Sequence, residues 1–134
     1  MYKSILIIDD EPDICKYLMA ALEDNGFTGT SISDHQLFMS KIQSVQPDLI
    51  ILDIMMPGRS GISLYKDLRN NSAYNDVAVI FMSGMSPEND FSPEGIRNFL
   101  QDESIPLSEG FLEKPVQIPE LIQMINTILS KESL

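Results

Sequence analysis

A doubly wound α/β fold, with a parallel five-stranded sheet covered by helices on both faces, is predicted from three observations. Short apolar runs at 5–8, 49–52 and 77–82 lack the alternation of a half-exposed strand and suit strands buried on both faces. Between and after them lie segments whose apolar residues return every three or four positions, the spacing of amphipathic helices. The two kinds of segment alternate along the chain, the order that builds parallel β-α-β units.

The first strand, "ILII", runs straight into Asp9, Asp10 and Glu11. Pro12 then stands in a first helical turn, where its missing N–H is no loss, and Asn25-Gly26 stops the helix. Cys15, Leu18 and Leu22 share that helix's inner face. The Thr- and Ser-rich "FTGTSIS" at 27–33 is predicted as an edge strand. Asp34 is the N-cap of a second helix ending before Pro47, and "LIILD" is the third strand. Ile62, Tyr65 and Leu68 lie on adjoining turns of the next helix. The fourth strand ends at Ser83, and a brief fifth surrounds Phe111 and Leu112. The last helix places Leu121, Ile125 and Ile128 on one face with Ile122 and Leu129 beside them.

These are five β-then-α units, and right-handed crossovers give them the flavodoxin-like order 2-1-3-4-5. The span from Ser83 to Lys114 covers 31 positions, about ten more than such a unit needs. A helix is expected there from Ser92-Pro93, covering Ile96, Phe99 and Leu100, before an acidic loop. The whole chain, 1–134, reads as one domain with no output domain attached.

Composition bounds the function. A chain of 134 residues with 43% hydrophobic and 22% charged residues has enough apolar material for a core. No apolar run approaches the roughly 20 residues of a membrane span. The N-terminus has neither the long apolar region nor the cleavage site of a signal peptide, and the single Cys15 cannot form an internal disulfide. A cytoplasmic location is the expectation. A net charge of −11 repels nucleic acid phosphates and anionic lipid, so direct contact with either is disfavoured.

In open α/β sheets, ligands bind beyond the carboxyl ends of the strands where strand order reverses. Asp9 and Asp10 follow the first strand, Asp53 ends the third, Ser83 the fourth, and Lys114 the fifth. Acids at strand ends often cap helices, which suits Glu11 or Asp34. Three carboxylates in one crevice are different, because like charges a few ångströms apart raise one another's pKa and oppose folding. A divalent cation resolves the conflict: Mg²⁺ takes carboxylate, water and phosphate oxygens, and Mn²⁺ is possible in its place. Lys114 then adds a point charge suited to a phosphoryl oxygen, and Asp53 is the candidate nucleophile for phosphoryl transfer.

The motifs "IIDDEPD", "LDIMMPGRSG", "FMSG" and "FLEKP", in this order at successive strand ends, resemble the receiver domains of two-component response regulators across essentially the whole chain. The resemblance implies that Asp53 is the phosphoacceptor and that Asp9, Asp10, Asp53 and the Met55 backbone carbonyl hold the metal. It makes Ser83 and Phe111 the switch residues and Lys114 the phosphate contact, with Pro115 following a cis peptide bond. It implies a phosphohistidine donor on a histidine kinase or histidine phosphotransfer protein. Docking of that donor falls at Ile14, Tyr17 and Pro115. Output then changes the surface of the fourth helix, fifth strand and fifth helix for an unknown downstream protein. The role is a signalling switch that catalyses its own phosphorylation and dephosphorylation.

Other readings fit less well. A flavin- or nucleotide-binding flavodoxin relative needs a phosphate cradle after the first strand, where this chain has "DDEPD". A haloacid dehalogenase-type phosphohydrolase needs a second aspartate two positions past the nucleophile, where Met55 stands. A receiver fragment of a hybrid histidine kinase, and a degenerate receiver serving as an interaction module, are the alternatives within the family. His35, without a second ligand at metal spacing, reads as a surface residue.

Overall fold

Five parallel strands stand side by side in the order β2-β1-β3-β4-β5. They are β1 (Ser4–Ile8), β2 (Thr28–Ile32), β3 (Leu49–Asp53), β4 (Ala78–Gly84) and β5 (Gly110–Lys114). The computed structural model describes residues 3–84 and 105–132. The helix expected after Ser92-Pro93 lies outside the described residues. Among the described residues the α-helices are α1 (Pro12–Asp24), α2 (Phe38–Val45), α3 (Gly61–Arg69) and a C-terminal helix (Ile118–Glu132).

The pleat sends successive side chains to opposite faces, and each face has its own helical cover. Leu6, Ile8, Ile50, Leu52, Val79 and Phe81 meet Phe38 and Ile42 of α2 and Leu64, Tyr65 and Leu68 of α3. Ile5, Ile7, Leu49, Ile51, Ile80 and Met82 meet Cys15, Leu18 and Leu22 of α1 and Leu121, Ile125 and Ile128 of the C-terminal helix. A fully buried Leu or Ile stabilises the fold by about 1.5–3 kcal/mol. The three central strands therefore form a rigid base, and a site at their ends inherits that rigidity.

Local signals behave as the sequence predicts, with two adjustments. Glu11 stands at the N-cap of α1, but its side chain makes no capping hydrogen bond. Pro12 opens α1, Asn25 closes it, and Gly26 turns the chain away at φ +85°. Asp34 does cap, its Oδ1 accepting from the Gln36 N–H at 2.9 Å, but it caps a 3₁₀ turn, His35–Leu37, and α2 begins only at Phe38. The turn closes with a three-residue step, the Leu37 N–H donating to the Asp34 carbonyl at 3.0 Å, which is the 3₁₀ pattern.

At the end of the sheet where β4 and β5 begin, the structure holds a polar cluster that sequence pattern does not announce. The buried Arg69 guanidinium donates to the Tyr65 hydroxyl (3.0 Å), the Asn75 and Val77 carbonyls (3.2 and 2.6 Å) and both Glu109 carboxylate oxygens (3.1 Å each). Tyr65 donates onward to the Pro106 carbonyl at 2.7 Å, and Glu109 accepts from the Val79 N–H at 2.7 Å. The chain returning to β5 is thus fastened to α3 and to the start of β4. Tyr65–Arg69 spacing of four on a helix was the available signal.

Candidate phosphoacceptor site

At the opposite end, four strand termini bring the predicted side chains together. Asp53 is the last residue of β3, in register with Met82 of β4, so Ser83 stands one step beyond it. Gly84 is in register with Lys114 of β5. Asp9 follows β1, its N–H donating to the Ile32 carbonyl at 3.2 Å, and its own Oδ1 accepts from the Glu11 N–H at 2.9 Å to turn the chain into α1. The acidic run is therefore both the helix entry and one wall of the site.

Ligand oxygens of Asp9, Asp10 and Asp53 all lie within 4.8 Å of one another. Asp9 and Asp53 are buried, and Asp10 is half-buried. Lys114 Nζ reaches Asp9 Oδ2 at 2.8 Å and Asp53 Oδ1 at 3.4 Å, with the exposed Glu11 carboxylate at 3.7 Å. The Lys114–Asp9 contact is the shortest of these ion pairs, and it joins two side chains that are both largely shielded from solvent. One lysine cannot neutralise three carboxylates. Burial, and then the charge of Asp9, push the Asp53 carboxyl up from 3.8 to about 7 against the opposing pull of Lys114. Burial works against the Lys114 ammonium, but contact with Asp9 and the charges of Asp53, Asp9 and Glu11 outweigh it and hold its pKa raised.

The donor set suits a hard divalent cation. Asp53 Oδ1 accepts from the Met55 N–H at 3.3 Å, whereas Asp53 Oδ2 is buried and accepts no hydrogen bond. A buried, unpaired carboxylate oxygen beside two further carboxylates is the arrangement that an all-oxygen ion site requires. The cluster can coordinate a divalent metal.

The remaining predicted residues are placed as follows. The Ser83 hydroxyl is fully buried and donates to the Gly84 carbonyl at 3.1 Å. Phe111 is half-buried against the α2–α3 side of the core. The Lys114–Pro115 peptide bond is cis. Met55 is 54% exposed beside the site. On α1, Tyr17 is 53% exposed and its hydroxyl donates to the Val116 carbonyl at 3.5 Å, while Ile14 packs largely onto the core. Tyr17 and the exposed Pro115 thus offer more free surface than Ile14. Cys15 is buried under the site, its thiol held above its ordinary pKa by burial and then by Asp9, and donates to the Asp9 carbonyl at 3.5 Å.

A flavodoxin-like sheet whose strand ends gather three aspartates and a lysine defines a phosphoacceptor module. The comparisons with known proteins agree. The model of the response regulator receiver domain matches residues 5–126. The chain is 30% identical over 129 residues to the phosphate regulon transcriptional regulatory protein PhoB of Pseudomonas aeruginosa, covering 96% of this chain and 52% of that protein. Against PhoB of Escherichia coli K12 it is 29% identical over 133 residues, covering 99% of this chain and 54% of that protein. The chain spans about half the length of these curated relatives. A sensor protein from a Polaromonas species superposes with a TM-score of 0.80 at 26% identity, covering 96% of this chain and 97% of that one. A CheY-like receiver domain from Methanospirillum hungatei superposes at 0.81 with 21% identity, covering 99% and 98%, a likeness of fold.

This chain belongs to the response regulator receiver domain family. Its Asp9–Asp10–Asp53 cluster with the Lys114 ion pairs has the architecture of the receiver phosphoacceptor site, the site of a two-component signalling switch. Among the described residues, no helix is long and apolar enough to cross a membrane.

Proposed function

We propose that Asp53 accepts a phosphoryl group from a phosphohistidine on a histidine kinase or histidine phosphotransfer protein, in an Mg²⁺-dependent step within a single cytoplasmic receiver domain. The observation that carries this reading is the buried, unpaired Asp53 Oδ2 beside Asp9, Asp10 and Lys114. A carboxylate oxygen of Asp53 attacks phosphorus as the P–N bond breaks and its electron pair returns to the imidazole. Lys114 neutralises a phosphoryl oxygen and holds it in line. Asp9, Asp10, Asp53 and the Met55 carbonyl are the residues that would hold Mg²⁺, or Mn²⁺ in its place. That ion supplies charge neutralisation of the carboxylates and of the incoming phosphoryl oxygens.

The acyl phosphate then acts on two packings of one surface. The Ser83 hydroxyl leaves the Gly84 carbonyl for a phosphoryl oxygen, and Phe111 turns further inward, which biases the β5 surface and the helices flanking it toward a downstream protein. Tyr17 and Pro115, with the less exposed Ile14, form the donor's docking face.

Incubation with acetyl phosphate and Mg²⁺ tests the reading. One base-labile phosphoryl group per chain, seen by intact mass and abolished by EDTA, is expected; no gain, or a gain indifferent to EDTA, contradicts it. Binding energy of the ion to the folded state alone also raises thermal stability. Mg²⁺ at about 100 times its dissociation constant is expected to add about 2.7 kcal/mol. Asp10→Asn is expected to remove most of that gain in a thermal melt.

A further inference from the structure

Among the described residues, three glycines have no room for a side chain, and only one of the three meets backbone. A Cβ on Gly29 or Gly110 would run into the thioether sulfur of Met19 or Met124, at 2.8 and 2.6 Å, which a flexible side chain can vacate. A Cβ on Gly61 would lie 2.1 Å from the Asp53 carbonyl oxygen, 2.9 Å from the Asp53 carbonyl carbon and 3.0 Å from Ile54 Cα. We propose that Gly61 is a positioning residue for phosphoryl transfer, setting the place of the Asp53 carboxylate by letting the first turn of α3 rest directly on the backbone of Asp53. This rests on the reading of Asp53 as phosphoacceptor and assigns a task to the last glycine of "LDIMMPGRSG".

The contact is held from both sides. Gly61 N–H donates to the Ile54 carbonyl at 2.8 Å, and Ser60 caps the helix by accepting from the Ser63 N–H at 3.2 Å. Behind it, Ile62, Leu64, Tyr65 and Leu68 anchor α3 in the core. β3 is buried throughout, hydrogen-bonded between β1 and β4, and the Ile54 N–H donates to the Met82 carbonyl at 3.0 Å. A methyl group needs about 1 Å more than the gap allows, since Cβ contacts under 3.0 Å essentially do not occur. Gly61 has no positive φ, so the helix tolerates alanine conformationally and the conflict is purely one of space. The end of β3 has the less support, because pairing with β1 stops at Leu52 and Asp53 is paired with Met82 of β4 alone, so the contact opens by moving Asp53. A carboxylate displaced by about 1 Å loses alignment with its partners, at a cost of order 100-fold in rate.

The test compares wild type, Gly61→Ala, Ser60→Ala and Ile42→Val, all in trimethylamine N-oxide to hold each variant folded. Ser60→Ala removes the cap and leaves the gap open; Ile42→Val destabilises the core away from the site. Mg²⁺ affinity is read by amide NMR at Asp53 and Met55, and acetyl phosphate transfer is read as kcat and KM. Gly61→Ala is expected to weaken Mg²⁺ binding at least about tenfold and to lower kcat about 100-fold with little change in KM. The two controls are expected to stay within about twofold of wild type on both readouts. Gly61→Ala matching the controls overturns the inference, as does Ser60→Ala matching Gly61→Ala. A wild type that neither binds Mg²⁺ nor takes up phosphoryl overturns the phosphoacceptor reading itself, a separate outcome.

Discussion

Asp53→Asn is expected to abolish phosphoryl uptake and, in the same sample, to make the metal-free protein more stable. Loss of uptake follows because the amide is no nucleophile at phosphorus and the neighbouring Asp9 is engaged elsewhere: its Oδ1 accepts from the Glu11 N–H and its Oδ2 pairs with Lys114. The gain in stability follows from the cost of the native carboxylate. Its folded pKa of about 7 lies above the 3.8 of an ordinary aspartate. Between about pH 4 and pH 7 the folded chain therefore keeps a proton that the unfolded chain has released. Stability of the metal-free wild type is expected to fall as pH rises through that window and to level off above it.

A shift of about three pH units corresponds to at most about 4 kcal/mol at pH 8. The isosteric amide avoids that cost and keeps an oxygen for the Met55 N–H. Thermal melts in EDTA at pH 8 are expected to place Asp53→Asn about 5–10 °C above wild type, narrowing toward zero at pH 4. With saturating Mg²⁺ the order is expected to shrink or reverse, because the ion binds more tightly to the chain that retains its third carboxylate. An Asp53→Asn protein less stable than wild type in EDTA at pH 8 contradicts the electrostatic description of the site.

Arg69→Ala is expected to be the most destabilising single change away from the site. Removing one partner of a buried charged network costs about 3–5 kcal/mol, because the groups left behind lose their bonds without regaining water. Here those groups are the Asn75 and Val77 carbonyls and the Tyr65 hydroxyl, and the aromatic face of Tyr65, 4.7 Å from the guanidinium, loses its cation. Urea unfolding measures the loss. Because Arg69 lies where β4 and β5 begin and Asp53 where β3 ends, the folded fraction of Arg69→Ala is expected to take up phosphoryl at the wild-type rate. A loss below about 1 kcal/mol contradicts the view that the cluster fastens the sheet.

The strand ends were legible in the sequence because each rule involved is local or depends on chain order. Apolar runs gave β1, β3 and β4, right-handed crossovers gave the order, and the order placed Asp9, Asp10, Asp53, Ser83 and Lys114 at one edge. What pattern could not supply was close approach between segments distant in sequence. Arg69 and Glu109 are 40 positions apart and look like ordinary surface charges until α3 and β5 are in place. Nothing in the pattern around Gly61 marks it out from the helix that it opens, and only the packed helix shows that its missing Cβ makes room for the Asp53 carbonyl. The 3₁₀ turn before α2 was hidden for a smaller reason, since a capping aspartate has the same signature ahead of either helix type.

Borohydride reduction of the acetyl phosphate-treated protein, followed by peptide mapping, tests the central claim most directly, because an acyl phosphate is reduced to an alcohol where it stands. Conversion of Asp53 alone to homoserine, dependent on Mg²⁺, is the expected result. Homoserine at Asp9, Asp10 or another carboxylate, or no conversion at all in protein that has gained a phosphoryl group, would contradict the assignment of Asp53 as the acceptor.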